Sequence, residues 1–360
     1  MAETALKAGA PACDKDAALS GAELAWDTQA EALRRLFAAV WPRHRVTGKP
    51  YFDWQFLERP GGRPVAFCAR QEGARPEALA GVYLVMPATL LAGAHALDFS
   101  VSVYTATHPD YQRRGIFSRL AGLTYERCEK QGVAGTVGVP NNNSLPGFMR
   151  LGFTVLGRME LLARPASPLA GLRAPGRPGG QVIEFKSPQD FSAIDCRLDR
   201  ARALSGGVLF ERGTEFLAWR YLRCPGVRYR MFGFLDKGDR LAGFIALRRA
   251  VRGGLPLTVI VDFLVDRTAP DAGAAAAALL ARAHLLALKT LAPVVIALAN
   301  PFSYEAAALQ RNGFTRVGQR FLPHECNLIL KAHADQPGPL AGRLMDFRNW
   351  HFSFGDYDIF

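Results

Sequence analysis

The sequence has no CxxC, HxH or HExxH pattern. Its six cysteines, Cys13, Cys68, Cys128, Cys196, Cys224 and Cys326, are widely scattered. This excludes the common zinc spacings, and no metal is expected. Scattered thiols are simplest as reduced cysteines in the cytoplasm. The first 20 residues have no apolar signal core, and no 18-residue apolar stretch is free of breakers, so neither a leader nor a membrane span is expected. No Lys/Arg run reaches five, and no aromatic-plus-basic signature appears, so nucleic acid is not an expected partner. The net charge is nevertheless +12, carried on dispersed basic residues. That surface attracts anions and would suit a coenzyme bearing several phosphates.

What is present is a globular composition, 49% hydrophobic and 21% charged, on a chain of 360 residues. That length is comfortable for two domains. The chain also repeats itself. Trp54-Gln55-Phe56-Leu57-Glu58-Arg59-Pro60 is echoed by Trp219-Arg220-Tyr221-Leu222-Arg223-Cys224-Pro225. Asp98-Phe99 is echoed by Asp262-Phe263, Asn141-x-x-Ser144 by Asn300-x-x-Ser303, and Gly152-Phe153-Thr154 by Gly313-Phe314-Thr315. The offsets are 165, 164, 159 and 161, in one order. Collinear matches at nearly one offset argue for two copies of one domain. Pro165, Pro168, Pro175 and Pro178 mark the join. The expected organisation is a flexible tail over 1–22, a domain over 23–162, a linker over 163–181, a second domain over 182–332, and a C-terminal segment over 333–360 that packs back.

Apolar spacing predicts a helix from Asp27 or Thr28 to about Trp41, then strands at 65–70, 81–86 and 96–107. A helix over 117–131, a short buried strand over 133–139, a helix near 146–151 and a strand over 154–162 complete the first copy. The second copy is expected to have strands at 259–265 and 294–298 around a helix over 272–291.

The most informative segment ends a strand, turns through Gln112-Arg113-Arg114-Gly115 and begins a helix at Ile116-Phe117. A helix start offers unpaired N–H groups and the positive end of the dipole. Such a turn, with glycine for close approach and two arginines, suits a diphosphate. An ordinary strand-to-helix turn with a solvated arginine pair is the alternative reading.

Q-R-R-G-I-F after a strand, followed by Asn141-x-x-Ser144 and Phe148-x-x-x-Gly152-Phe153, resembles the GNAT (GCN5-related N-acetyltransferase) superfamily. The doubled chain resembles its two-domain branch, which includes mycothiol synthase and the enhanced-intracellular-survival acetyltransferases. The resemblance implies an α/β mixed-sheet fold, with two parallel strands splayed in each copy. It implies acetyl-CoA or another acyl-CoA as co-substrate and a primary amine of a small molecule or amino-sugar as acceptor. Thr105, Ala106 and Thr107 would hold the thioester arm. Gln112, Arg113, Arg114, Gly115, Ile116 and Phe117 would bind the diphosphate. Asn141 and Ser144 would cap the next helix or touch the coenzyme. The family's usual acid, a tyrosine, is Phe148 here. The base would come from the tail, as the Phe360 carboxylate, Asp358, Asp356 or His351, or from His108. The second copy, with Ala274–Leu279 at the turn, is expected to bind no coenzyme. A Fem-type aminoacyl transferase and a non-catalytic acyl-CoA sensor are the alternatives. Trp54 and Trp219 read as core.

Overall fold

The structure, a computed structural model, describes residues 18–71, 78–167, 179–191, 198–318, 325–333 and 338–357. The first copy begins with β1 (Leu19–Glu23), α1 (Trp26–Val40) and α2 (Lys49–Phe56). Next come β2 (Val65–Gln71), β3 (Gly81–Ala92), β4 (His95–Ser102) and β5 (Ala106–Thr107). It closes with α3 (Ile116–Lys130), β6 (Gly135–Gly138), α4 (Leu145–Arg150) and β7 (Thr154–Pro165). The second copy opens with β8 (Gln181–Phe185), α5 (Leu198–Leu204), β9 (Val208–Phe210), α6 (Thr214–Leu217), β10 (Tyr229–Leu235), β11 (Leu241–Arg252) and β12 (Leu255–Val265). It ends with α7 (Ala272–Lys289), β13 (Val294–Ala299), α8 (Tyr304–Arg311), β14 (Thr315–Arg316), β15 (Cys326–Ala332) and α9 (Gly338–Met345).

One sheet runs β1-β2-β3-β4-β6-β15-β7-β13-β12-β11-β10-β8. Each copy lends its last long strand to the other. β15 pairs with β6, and β7 pairs with β13. The two copies therefore share a continuous hydrogen-bonded ladder, not merely a packed interface. At the centre Trp54 and Trp219 stack with ring centroids 4.5 Å apart. Each indole N–H donates to the other's backbone carbonyl, at 2.9 and 2.8 Å. The reciprocal pair satisfies two buried polar groups and marks the pseudo-twofold relation of the copies.

The ladder corrects three boundaries. Leu19–Glu23 of the expected tail forms β1 against β2. Ala163 to Pro165 of the expected linker continues β7 against β13, and Gln181 starts β8. Pro165 is tolerated because it is the last residue of its strand. The rest of the linker, 168–178, and the tail before residue 18 lie outside the described residues.

One of the four repeat matches fails. Val85 faces Ser102, and Gly81 faces Thr107. In the second copy Leu247 faces Ile260, and Gly243 faces Val265. Ser102 therefore corresponds to Ile260, an offset of 158, and Asp262 occupies the place of Tyr104, not of Asp98. The Asp-Phe match was a coincidence, six residues out of register.

α7 is long and apolar enough to span a membrane by length and composition. Its inner face, including Ala275, Leu279 and Ala283, is instead buried on the second half of the sheet.

Candidate functional site

β4 and β6 run parallel from the Phe99–Gly135 pair to the Ser102–Gly138 pair and then part. The cause lies in β4. Between its pairings with Val85 and Val82, β4–β5 runs from Ser102 to Ala106, one residue more than β3 supplies. This bulge puts Tyr104 at φ 52°. A bulge leaves backbone groups outside the ladder and re-aims them. Here they border a cleft of about 350 Å³, lined by Thr105, Thr107, Phe117, Asn141, Ser144 and Phe148 on one side of the sheet and by Trp41, His44, Tyr104 and Tyr357 toward the other.

The Gln112–Phe117 turn reaches this cleft through Phe117, which lines it. Arg113 at φ 63° and Gly115 at φ 70° are both left-handed. Gly115 is the N-cap of α3, so the free N–H groups of the first turn follow directly. Nothing lies within 4 Å of where a Cβ on Gly115 would stand. The left-handed backbone, not crowding, is therefore what calls for glycine there. Arg114 lies over the Tyr111 ring at 5.6 Å.

Phe117 occupies a position where the resemblance expects a small residue. Its ring turns inward onto Tyr83 and Phe148, at 5.6 and 5.3 Å. Gly147 makes the room: a Cβ there would stand 2.8 Å from the Phe117 ring. Ile116 is buried, so its contribution to the turn is its backbone. Ala106 is likewise buried in the β5 ladder. Asn141 Oδ1 accepts from the N–H groups of Asn143 and Ser144, both at 3.0 Å, which orders the turn before α4; Ser144 stands at the N-cap of α4 but makes no side-chain capping bond.

The catalytic candidates separate. Phe360 and Asp358 lie outside the described residues. His108 is a correction: it is not among the cleft-lining residues, and its Nδ1 accepts from the N–H of Asp110 within the turn. Asp356 and His351 are corrections too. The Asp356 carboxylate is buried 2.9 Å from Arg212. His351 is buried 3.8 Å from both Asp262 and Glu305. Burial alone would lower the pKa of His351, but those two carboxylates outweigh it and the net shift is upward.

The tail fills the second copy's gap instead. The opening between β12 and β13 is lined by His351, Phe352 and Ser353, which leave about 10 Å³. Gly355 N–H donates to Val261 O, beside the corresponding bulge, at 2.8 Å. Asn300, the partner of Asn141 in the repeat, donates to Phe347 O and Trp350 O at 2.6 and 2.8 Å. Ala274–Leu279 lies inside α7, whose cap is the acidic Asp271. The glycine turn is thus absent from this copy, and its gap is occupied by protein.

Beyond the plug the chain crosses to the first cleft. Tyr357 lines it and donates its hydroxyl to Val139 O at 2.9 Å. Sequence reasoning missed Tyr357, Trp41 and His44. Trp41 and His44 lie 71 and 68 residues before Gln112, Tyr357 lies 240 after Phe117, and only the fold brings them together. His44 Nδ1 accepts from Val46 N–H at 3.1 Å, so the neutral ring carries its proton on Nε2. Phe148 is buried against Phe117 and Phe153 and offers no hydroxyl. Nearby, Ser102, Tyr83 and Tyr125 form a buried hydroxyl chain, and burial pushes both tyrosine pKa values up.

Residues 24–156 match the family described as acetyltransferase (GNAT) domain. No curated protein matches the chain in sequence. The fold resembles a GCN5-related N-acetyltransferase from Anabaena variabilis, with a TM-score of 0.64 and 12% identity over 88% of this chain and 73% of that one. It resembles a tandem GNAT protein from the clavulanic acid biosynthesis pathway, with a TM-score of 0.57 and 15% identity over 89% and 100%. It also resembles Saccharomyces cerevisiae N-myristoyltransferase bound to myristoyl-CoA, with a TM-score of 0.56 and 13% identity over 87% and 78%. The architecture is therefore that of the GNAT acyltransferases: a large mixed sheet flanked by helices.

Proposed function

We propose that this protein is an acyl-CoA-dependent N-acyltransferase working in the cleft between β4 and β6, with a primary amine as acceptor. The observation that carries this reading is the asymmetry of the copies. The gap with the glycine–arginine turn beside it is open, and its counterpart without that turn is filled by the chain's own tail. An acetyl group is the acyl group we favour, because Phe117 and Phe148 close the cleft wall near the bulge.

In this reading the diphosphate sits on the first turn of α3, and the pantetheine arm follows the bulge. The tail in the second copy supports this by analogy: its Gly355 N–H donates to the bulge carbonyl of Val261, which corresponds to Val103. The amine nitrogen attacks the thioester carbonyl carbon. A bulge N–H stabilises the oxyanion. The C–S bond breaks, the nitrogen loses its proton to water, and the thiolate leaves with the coenzyme and takes up a proton from a donor that water then re-protonates. The donor we assign is the Tyr357 hydroxyl, which stands in the cleft where Phe148 has none. Its current acceptor, Val139 O, holds it in place.

Free thiol released from acetyl-CoA in the presence of a panel of primary amines tests the function. Amine-dependent release is expected. Tight acetyl-CoA binding with no release by any amine would leave a sensor and overturn the enzyme reading. Tyr357→Phe should lower kcat roughly 10- to 100-fold with acetyl-CoA affinity unchanged. A kcat within about twofold of wild type would remove Tyr357 from this role.

A further inference from the structure

A larger cavity, about 600 Å³, opens where β3 has an uncovered edge. β2 stops at the Val65–Val85 pair, and β9 begins only at the Phe210–Leu90 pair. Between them, Pro87 sits mid-strand. It is tolerated because its nitrogen faces this open edge and no partner strand needs an N–H there. The Pro87 carbonyl on the same edge accepts from Arg59 Nη2 at 3.3 Å.

Arg59 is the unusual group. Its guanidinium stacks on Trp219 at 4.8 Å and lies 5.6 Å from Phe216. Its Nε is buried without a hydrogen-bond partner among the described residues. No carboxylate among the described residues forms an ion pair with it; Asp356, the one acid whose field it feels, is committed to Arg212. Burial and the neighbouring Arg220 push its pKa down to about 10. Arg59 is half-buried and lines this cavity without an ion pair of its own among the described residues, so an anion bound beside it would complete its charge. A planar guanidinium can hold a carboxylate bidentately.

The cavity adjoins the acyl cleft through shared walls. It shares Arg59, Val101 and Asp356 with a small space of about 30 Å³. That space in turn shares Val103 with the cleft. From Val101 to Tyr104 is three residues, a reach of at most about 10 Å. Glu211 and Glu215 on the outer wall would repel a dianionic phosphate more than a carboxylate.

We propose that this cavity is the acceptor pocket and that Arg59 binds a carboxylate on the acceptor, which makes the acceptor an amino acid or amino-acid-like molecule whose reacting amine lies several bonds from its acid group. The acceptor role rests on the acyltransferase reading, but the carboxylate site does not.

The test is direct binding, without coenzyme, of 6-aminohexanoate and of its neutral amide, 6-aminohexanamide, measured by calorimetry. The wild type should bind the acid at least tenfold more tightly than the amide. Arg59→Gln should abolish that preference and keep acetyl-CoA affinity unchanged. Arg59→Lys, which keeps the charge but not the planar fork, should retain part of it. Equal binding of acid and amide by the wild type, or no binding of either, would overturn the proposal whether or not the glutamine variant folds. So would a preference that survives in a folded Arg59→Gln variant. An Arg59-dependent acid preference in a protein that never releases thiol from acetyl-CoA would sink the acyltransferase reading and leave the carboxylate site standing.

Discussion

Replacing Arg212 with methionine should destabilise the protein by about 3–5 kcal/mol, the typical cost of removing one partner from a buried ion pair. Arg212 is 1% exposed. Its Nε donates to Asp262 at 2.6 Å, its Nη2 to Asp356 at 2.9 Å, and its Nη1 to Phe210 O at 2.7 Å. Its backbone N–H donates to Asp199. Burial raises the carboxyl pKa of Asp262, but the Arg212 charge outweighs it and the net shift is downward. Methionine fills similar volume yet leaves both aspartates buried without their cation. Because Asp356 and Ser353 belong to the tail, the loss should also loosen the plug and withdraw Tyr357 from the first cleft. Denaturant titration measures the stability. Adding Asp262→Asn and Asp356→Asn should recover part of it, since neutral amides do not need the cation. A loss below about 1 kcal/mol would mean that the network is solvated in solution.

The double substitution Arg114→Glu with Gly115→Val should raise the acetyl-CoA dissociation constant about 100-fold or more. Losing one charge-assisted phosphate bond costs about 1.5–3 kcal/mol, and each 1.4 kcal/mol is tenfold in affinity. Glutamate also places like charge at the diphosphate. Valine at φ 70° adds roughly 1–2 kcal/mol of local strain. The fold should survive, because a Cβ at Gly115 meets nothing and α3 is anchored by Leu120, Tyr125 and Cys128. Unchanged affinity in a folded variant would refute the cradle.

The turn was legible before any coordinates because it is local. A strand end, a left-handed glycine and a helix start are fixed by about ten consecutive residues and their backbone preferences. The long helices α1, α3 and α7 were legible for the same reason, as in α1, where Leu33, Leu36 and Phe37 recur at helical spacing and are buried; short helices such as α2 and α8 were not foreseen. The start of α1 was missed by one or two residues. Trp26 joins the helix because its indole stacks on Phe56 and donates to Pro64 O, contacts that local capping preference does not register. The repeat was legible in outline, from Trp54 and Trp219 and from Asn141 and Asn300. The match of Asp98 with Asp262 was not, because strand register is set by the partner strand and its bulges, and two residues alone do not specify it.

By itself, then, the sequence determined the doubled organisation, the Gln112–Phe117 turn and its confinement to one copy. Each follows from short-range patterns that hold wherever the segment is placed. Tertiary structure alone decided what each gap contains. Strand exchange through β7 and β15 fixed the copies in one ladder. That placement carried residues 347–355 into the second gap and Tyr357 to the first. It also left Arg59 facing a cavity beside an uncovered strand edge. These include meetings of residues hundreds of positions apart, 218 between Tyr357 and Val139. Chain closure over such distances depends on how the whole apolar surface is buried, which no local pattern records.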